Sequence, residues 1–375
     1  MSATHWHLLS GEYPPRLGGV ADYTRQVARA LAARGEQVHV WAPSVSGDGP
    51  EDPGVTVHRV SGLGPRALRS IDDQLRSMEG PRRWFVQYVP TGLGLRGMNV
   101  PLVQWLRARH DEIWVQFHEV VLGWQLWRKP QLHLMHAVQL WMAAALARRA
   151  DRLFVSIEGW RPRLGSEASR AEWLPIPSNI PVTVSPSDVA LVRGELGPGP
   201  WIGHFGTYAG GVTRDLVPSL AEILRRRPEV RVLLLGRGEE RVAQALPRGR
   251  VLATGMLPGE AVAARLAAVD LALQPFPDGI STRRTSAMAA LALGIPVVTT
   301  DGHLTDSLWR DGAVALGPAG DPVRLAGLCL ELLDDTEQRA HLGRSGARLY
   351  AKSFSLEHTV ETLRSDHGAR LVATS

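Results

Sequence analysis

The sequence predicts an α/β protein of two doubly wound domains, each a mostly parallel sheet with helices on both faces. Three observations carry this expectation. Short apolar runs alternate with amphipathic segments. The alternation pauses at a Pro-, Ser- and Gly-rich stretch and then restarts. The chain has 375 residues, the length of two ordinary domains. Strand-helix-strand alternation implies crossovers that cover a parallel sheet on both sides.

The elements follow in order. WHLLS (6–10) reads as a strand, followed by the glycine loop RLGGVADY and a helix from about Val20 to Arg34. Val20, Tyr23, Val27, Ala30 and Leu31 recur at helical spacing and Gly35 ends it. Strands are read at 37–43, 55–60, 83–89, 112–118 and 152–157, with helices near 99–110 and 131–149. The stretch 175–200, PIPSNIPVTVSPSDVALVRGELGPGP, reads as the linker. Strands then recur at 201–206, 230–236, 251–255, 271–276 and 296–300, with helices near 214–227, 259–268 and 282–293.

Composition narrows the function classes. Hydrophobic residues are 44% and charged residues 21%, which excludes wholesale disorder. The single cysteine, Cys329, excludes an intramolecular disulfide framework and fits a reducing cytoplasm. No run of about 20 apolar residues marks a membrane span, and MSATHWHLLSGEY lacks the pattern of a signal peptide. The net charge is +5, and among 42 basic residues only Lys129 and Lys352 are lysines. The densest basic stretch, 66–109, is interrupted by Asp72, Asp73 and Glu79 and carries no nucleic-acid motif, so nucleic acid is not the expected partner. Ten of the 12 tryptophans precede residue 180, among them Trp105, Trp124, Trp127 and Trp141. Most read as core. The alternative is a face for an aromatic, glycan or lipid-linked acceptor, or for peripheral contact with an anionic membrane at its inner face. Oligomeric state is not readable.

Open parallel sheets bind ligands beyond the carboxyl ends of their strands. Gly18 and Gly19 follow the first strand at a helix start, and read either as a tight loop or as backbone that approaches an anion. His118 closes the strand EIWVQF, and reads either as a structural histidine or as a sugar-hydroxyl partner and acid/base. Gly236-Arg237-Gly238 lacks the third glycine of a dinucleotide fingerprint. In PFPDGISTRRTSAMAALALGIPVVTTDG (275–302), Asp278-Gly279 sits in a loop and Ser281 or Thr282 is placed to cap a helix. Arg283 and Arg284 fall in that helix's first turn. Cations there oppose the macrodipole, so they are either solvated or help hold an anion such as a diphosphate. His133 and His136 lack a third ligand nearby, and no metal or cofactor is expected. Cys329, within LAGLCLELL, reads as core.

In this order these segments resemble the retaining GT-B glycosyltransferases of the family-4 type, the glycosyl transferases group 1. GEYPPRLGGVADYTRQVARALAARGEQVHVWAP resembles their opening loop and helix, and ADRLFVSIEGW the close of their first domain. VRVLLLGRGEE, the G-x-L-P-x-E of ATGMLPGEAVAARLAAVDLALQPF, and ALGIPVVTT resemble the donor domain, and FSLEHTVETLRSDH the terminal helix. The resemblance implies GT-B architecture, two Rossmann-like domains facing a cleft: 1–180 for the acceptor, 181–352 for a nucleotide-sugar donor, and 353–375 as a helix crossing back. It implies a cytoplasmic transferase. His118 would lie near the donor sugar and Gly18 and Gly19 near the diphosphate. Donor contacts would also come from Thr207, Arg214, Gly236, Gly255, Met256, Gly279, Thr282, Arg283, Arg284 and Ser286, with His118, Asp278 and Ser281 closest to the chemistry.

The sequence departs from the family at its paired glutamates, E-x7-E. Matching Asp278-Gly279 to the usual Glu-Gly puts Ser286 second, and counting back from Gly294 gives Ser281 and Ala289. The usual Arg and Lys after the first donor-domain strand are also replaced, by Thr207 and Gly211, with Arg214 slightly later. Arg283 and Arg284 would replace those cations from the other loop. Two alternatives to transfer are a degenerate sugar-nucleotide-binding protein or partner subunit, and a GT-B-like epimerase.

Overall fold

A computed structural model describes residues 4–46, 49, 51–121, 132–208 and 211–365. The chain divides into two compact units, one of residues up to Pro175 together with those from Leu356 onward, the other Ile176–Ser355. The first contains β1 (His5–Ser10), α1 (Gly19–Ala32), β2 (Val38–Pro43), β3 (Val55–Val60), α2 (Pro65–Leu75), β4 (Arg82–Tyr88), α3 (Val100–Arg107), β5 (Glu112–Phe117), α4 (His133–Arg149), β6 (Arg152–Val155) and β7 (Ala171–Trp173). The second contains α5 (Pro186–Leu196), β8 (Trp201–Phe205), α6 (Val212–Arg226), β9 (Arg231–Leu235), α7 (Glu240–Gln244), β10 (Val251–Ala253), α8 (Gly259–Ala267), β11 (Leu271–Gln274), α9 (Thr285–Ala292), β12 (Val297–Asp301), β13 (Ala315–Pro318), α10 (Pro322–Asp334) and α11 (Thr336–Ser353). Helix α12 (Leu356–Arg364) returns to the first unit.

The sheets are ordered β3-β2-β1-β4-β5-β6-β7 and β10-β9-β8-β11-β12-β13, and every pairing is parallel. Both are Rossmann-like, with the strand order reversing between β1 and β4 and between β8 and β11, the positions where open α/β sheets receive ligands. In the second unit α6 buries Leu216, Leu220, Ile223 and Leu224 at helical spacing against Val232, Leu234 and Leu273. Each such side chain contributes about 1.5–3 kcal/mol by leaving water. Cys329 is fully buried in the same core, and burial pushes its thiol far above the usual range.

The linker expectation is corrected for 186–196. The two units divide between Pro175 and Ile176, at the start of the stretch 175–200. Residues 186–196 are α5, which starts with Ser185 as N-cap, its hydroxyl accepting from Ser187 N, and Pro186 in the first turn. Gly197, at φ 76°, ends it. Pro186 and Gly197, which read as linker, are this helix's start and stop signals.

Helix α12 is tied down by ionic and hydrogen-bonded contacts. Arg152 stacks 4.6 Å from the Trp114 ring, donates through Nη2 to Glu172 at 2.9 Å, and donates through Nη1 to the Thr362 and Ser365 carbonyls at 3.1 Å. These carbonyls are among the last of a helix, which lack intrahelical donors. Arg364 pairs with Glu36, beyond the end of α1, at 2.9 Å.

Most described tryptophans are core, as Trp6, Trp41, Trp84, Trp114 and Trp309 show. Trp105 donates to Asp72, and Trp124 and Trp127 lie outside the described residues. On α4, Leu134, Leu140 and Trp141 are exposed. Among the described residues no helix is long and apolar enough to cross a membrane.

Candidate functional site

The second unit gathers its glycines at the carboxyl ends of its strands. A Cβ on Gly236 (φ 116°) would stand 2.1 Å from the Gly206 carbonyl oxygen, so the chains leaving β8 and β9 touch backbone to backbone. Gly236 N donates to the Gly255 carbonyl at 3.3 Å, bringing in the segment after β10. On the other side of the strand reversal, a Cβ on Gly279 (φ 87°) would stand 2.2 Å from Thr305 Oγ1 and 2.4 Å from Gly302 N. Only glycine fits such contacts at these dihedrals. The segments after β8, β9, β10, β11 and β12 therefore form one rim of closely packed, half-buried backbone.

Asp278 stands on that rim. Arg284 Nη2 lies 3.6 Å from Asp278 Oδ2, and the Arg284 guanidinium packs 4.7 Å from the Phe276 ring centre. His303 Nε2 is 3.9 Å from Asp278 Oδ1. Beside this group, Asp301, Gly302, Leu316, Gly317 and Pro318 line an open depression of about 420 Å³.

Two expectations for this loop are corrected. Helix α9 begins at Thr285, so Arg283 and Arg284 precede it rather than occupying its first turn. Arg284 is its N-cap, and no side chain caps it. Ser281 and Thr282 are fully buried: Thr282 O accepts from Ile176 N at 3.0 Å, Thr282 N donates to Asp306 at 3.4 Å, and Ser281 Oγ is buried with no hydrogen-bond partner. Tertiary hydrogen bonds pull this segment out of the helix. Contact between either hydroxyl and a ligand would require the loop to open.

The remaining residues divide by position. Ser286 adjoins the rim, its Oγ 3.7 Å from the place of a Cβ on Gly206. Thr207 is exposed and Met256 is 58% exposed. Arg214 points elsewhere, 3.6 Å from Asp215 Oδ1 and close to Gly320 beyond β13, and Asp215 is fixed by the Gly320 amide at 2.9 Å. Glu239, which the sequence reading named after Gly238 without giving it a role, is a buried carboxylate beside Gly255.

In the first unit the rim is built likewise: a Cβ on Gly11 would stand 2.1 Å from the Gly92 carbonyl oxygen, joining the segments after β1 and β4. Gly18 is the N-cap of α1 and Gly19 its first residue, with nothing within 4 Å of a Cβ there. The chain's own Glu12 carboxylate stands at this helix end, 2.6 Å from the place of a Cβ on Gly18. Its pKa is raised by burial, against the pull of Arg16 and the Val20 and Ala21 amides. His118 is buried, with Nε2 2.8 Å from Gln87 Oε1 and the ring edge-on to Tyr23 at 5.4 Å.

Among the described residues one histidine group, His5, His7 and His39, brings ring nitrogens within 4.8 Å of one another. The sequence reading did not find it, because it joins two strands. Trp41 Nε1–H donates to His7 Nδ1 at 3.0 Å, so neutral His7 carries its proton on Nε2. A metal-bound histidine has the reverse arrangement, its second nitrogen donating. The group also lies at the amino ends of β1 and β2, away from the rim.

Residues 18–201 match the family described as Glycosyl transferase 4-like domain, and residues 200–335 match Glycosyl transferases group 1. The chain belongs to the group 1 glycosyltransferases. A phosphatidyl-myo-inositol mannosyltransferase of Mycobacterium leprae is 26% identical over 88% of this chain and 87% of its own. A D-inositol 3-phosphate glycosyltransferase of Arthrobacter is 26% identical over 94% of this chain and 90% of its own. Among solved structures, Anabaena HepE in complex with UDP-glucose superimposes with a TM-score of 0.70 at 18% identity, covering 99% of this chain and 100% of that one. The fold class is GT-B, as the resemblance implied.

Within this glycosyltransferase the structure separates the two registers of the lost glutamate pair. Ser281 and Ala289 are both fully buried, whereas Asp278 stands on the rim and Ser286, in the first turn of α9, adjoins it. Of the two registers, the one that begins at Asp278 is the less buried.

Proposed function

We propose that this glycosyltransferase is retaining and metal-independent, and moves a sugar from a nucleoside-diphosphate donor on the second unit to an inositol-bearing acceptor. The observation that carries the donor reading is the loop between β11 and α9. It sets Asp278, Arg283 and Arg284 beside the strand reversal at the end of a Rossmann-like sheet. In such a transfer the leaving diphosphate gains negative charge while the sugar carbon becomes oxocarbenium-like. Catalysis then rests on positioning and on stabilising that charge. Arg283 and Arg284 would compensate the diphosphate, and Asp278 would accept from donor-sugar hydroxyls. The roles of Gly18, Gly19 and His118 near the donor remain those the family resemblance implies.

The donor set favours metal independence. Asp278 already faces Arg284 and His303, and a magnesium ion is usually held by carboxylates together with substrate phosphates. Retention follows from the resemblance to the family-4 class. The acceptor reading is supported by two relatives whose names both specify an inositol compound. The exposed Leu134, Leu140 and Trp141 of α4 support a lipid-bearing form of it, met at the membrane surface.

The test is a panel of UDP- and GDP-sugars offered with myo-inositol, an inositol phosphate or phosphatidylinositol vesicles, with and without EDTA. The expected result is nucleotide release that needs an acceptor, survives EDTA, and gives a product with the donor's anomeric configuration by NMR. Failure to bind any donor would favour the degenerate reading. Loss of turnover in EDTA would overturn metal independence, and an inverted product would overturn retention.

A further inference from the structure

The second unit holds a buried carboxylate that the donor loop does not use. Glu239 is 2% exposed, its Oε2 is buried without a hydrogen-bond partner, and it forms no ion pair among the described residues. A buried carboxylate with neither donors nor a cation is strongly disfavoured, so its retention points to a donor that arrives with a ligand. Oε1 lies 3.6 Å from the place of a Cβ on Gly255, and glycine there adds no side chain against that oxygen. At 2% exposure the carboxylate would meet a ligand on a shift of the adjoining segment. Tyr208 is near enough to feel the charge of Glu239, which together with burial, the larger cause, holds its phenol far above the ordinary range. Its single O–H is directed to the His204 and Leu235 carbonyls at 3.3 and 3.4 Å, not to Glu239.

The position within the sheet identifies the ligand group. The order β10-β9-β8-β11-β12-β13 is that of a dinucleotide-binding Rossmann sheet, read as third, second, first, fourth, fifth and sixth strands. In such sheets the acidic residue beyond the second strand accepts from ribose hydroxyls. Here the second strand is β9, and Glu239 follows just beyond its end. A carboxylate presents two acceptor oxygens to a vicinal diol, the pattern that a 2′,3′-ribose diol matches.

We infer that Glu239 is the ribose-recognising residue of the donor site, accepting from the nucleotide's 2′- and 3′-hydroxyls beside Gly255. This rests on the nucleoside-diphosphate reading given above. It also places the nucleoside on the β8–β9–β10 side of the strand reversal, with the diphosphate toward Arg283 and Arg284.

Calorimetric titration tests it with UDP and GDP and with their 2′-deoxy and 3′-deoxy analogues. The wild-type protein is expected to bind the ribonucleotide at least about tenfold more tightly than either analogue, the worth of one hydrogen bond to a charged group. Glu239→Gln is expected to reduce that ratio to near one, and Glu239→Asp to leave part of it. Equal affinity of wild type for ribo- and deoxynucleotides would overturn the inference without any variant. So would an unchanged ratio in Glu239→Gln, or a loss of base preference with the sugar preference intact. Failure of wild type to bind any nucleoside diphosphate would overturn the donor reading itself, a result distinguishable from the others.

Discussion

Arg284 and Asp278 face each other across the donor loop, 3.6 Å from Nη2 to Oδ2, with the guanidinium against the Phe276 ring. The pair is part-exposed, so it contributes little to stability, in the range of 0–1 kcal/mol. What it does is hold a cation at the strand reversal. Arg284→Ala and Arg283→Ala are expected to leave the thermal midpoint nearly unchanged while lowering affinity for a nucleoside diphosphate at least about tenfold each. Calorimetry with UDP and GDP reads this, and unchanged affinity and turnover in both variants would refute the diphosphate role.

The glycines of the rim divide into two kinds, and substitution separates them. Gly236 has φ 116° and no room for a Cβ, so Gly236→Ala is expected to cost more than about 2 kcal/mol and to displace the segment after β9. Gly19 begins α1 with open space around it, so Gly19→Ala is expected to stabilise by about 0.5–1 kcal/mol. If Gly19 serves donor approach, that same variant loses donor affinity while its urea midpoint rises. A rise in midpoint with affinity retained would mark Gly19 as a helix start and nothing more.

Arg152 ties the end of α12 to the sheet of the first unit. Arg152→Ala would leave the Glu172 carboxylate and the Thr362 and Ser365 carbonyls without their donor, at a cost of about 3–5 kcal/mol. The expected signature in hydrogen exchange is early loss of protection in 356–364, with β8–β13 unaffected. Uniform loss over the whole chain would show instead that α12 is not separately anchored.

Acid should destabilise the fold earlier than carboxylate protonation would. Burial lowers His7 to about 2, helped by His39, Arg82, His5 and His58. It lowers His39 to about 4, helped by His58 and His5, and His204 to about 4, opposed by its bond to the Leu273 carbonyl. Unfolded, each protonates near 6.5. The unfolded state therefore binds more protons below that pH, and stability falls as pH drops from 6.5 toward 4, further for His7. Each fully buried histidine contributes a slope of about 1.4 kcal/mol per pH unit in this window, and half-buried His39 less. Urea midpoints that stay level between pH 7 and pH 4.5 would refute it.

Much was legible from the sequence because it is local. Apolar periodicity, Gly35 at a helix end and the alternation of strands with helices report on neighbouring residues, and they placed β1–β6 and β8–β12 within a few residues, while the short edge strands β7 and β13 went unread. The loop 275–284 was found for the same reason: two arginines before an apolar helix conflict with the local dipole rule. Local reading erred where distant partners intervene. Thr282 is taken from α9 by Ile176 and Asp306, and the signals of α5 passed for a linker. Strand order, the meeting of Gly236 with Gly206, the histidines of β1 and β2, and the burial of Glu239 beside Gly255 are long-range facts. The sequence by itself determined two α/β sheets, a group 1 glycosyltransferase pattern and a loop bearing arginines in place of a glutamate pair. Only the tertiary structure decided which of those residues stand at the strand ends and which are buried, because exposure, a missing hydrogen-bond partner and the space beside a glycine depend on what the fold brings alongside.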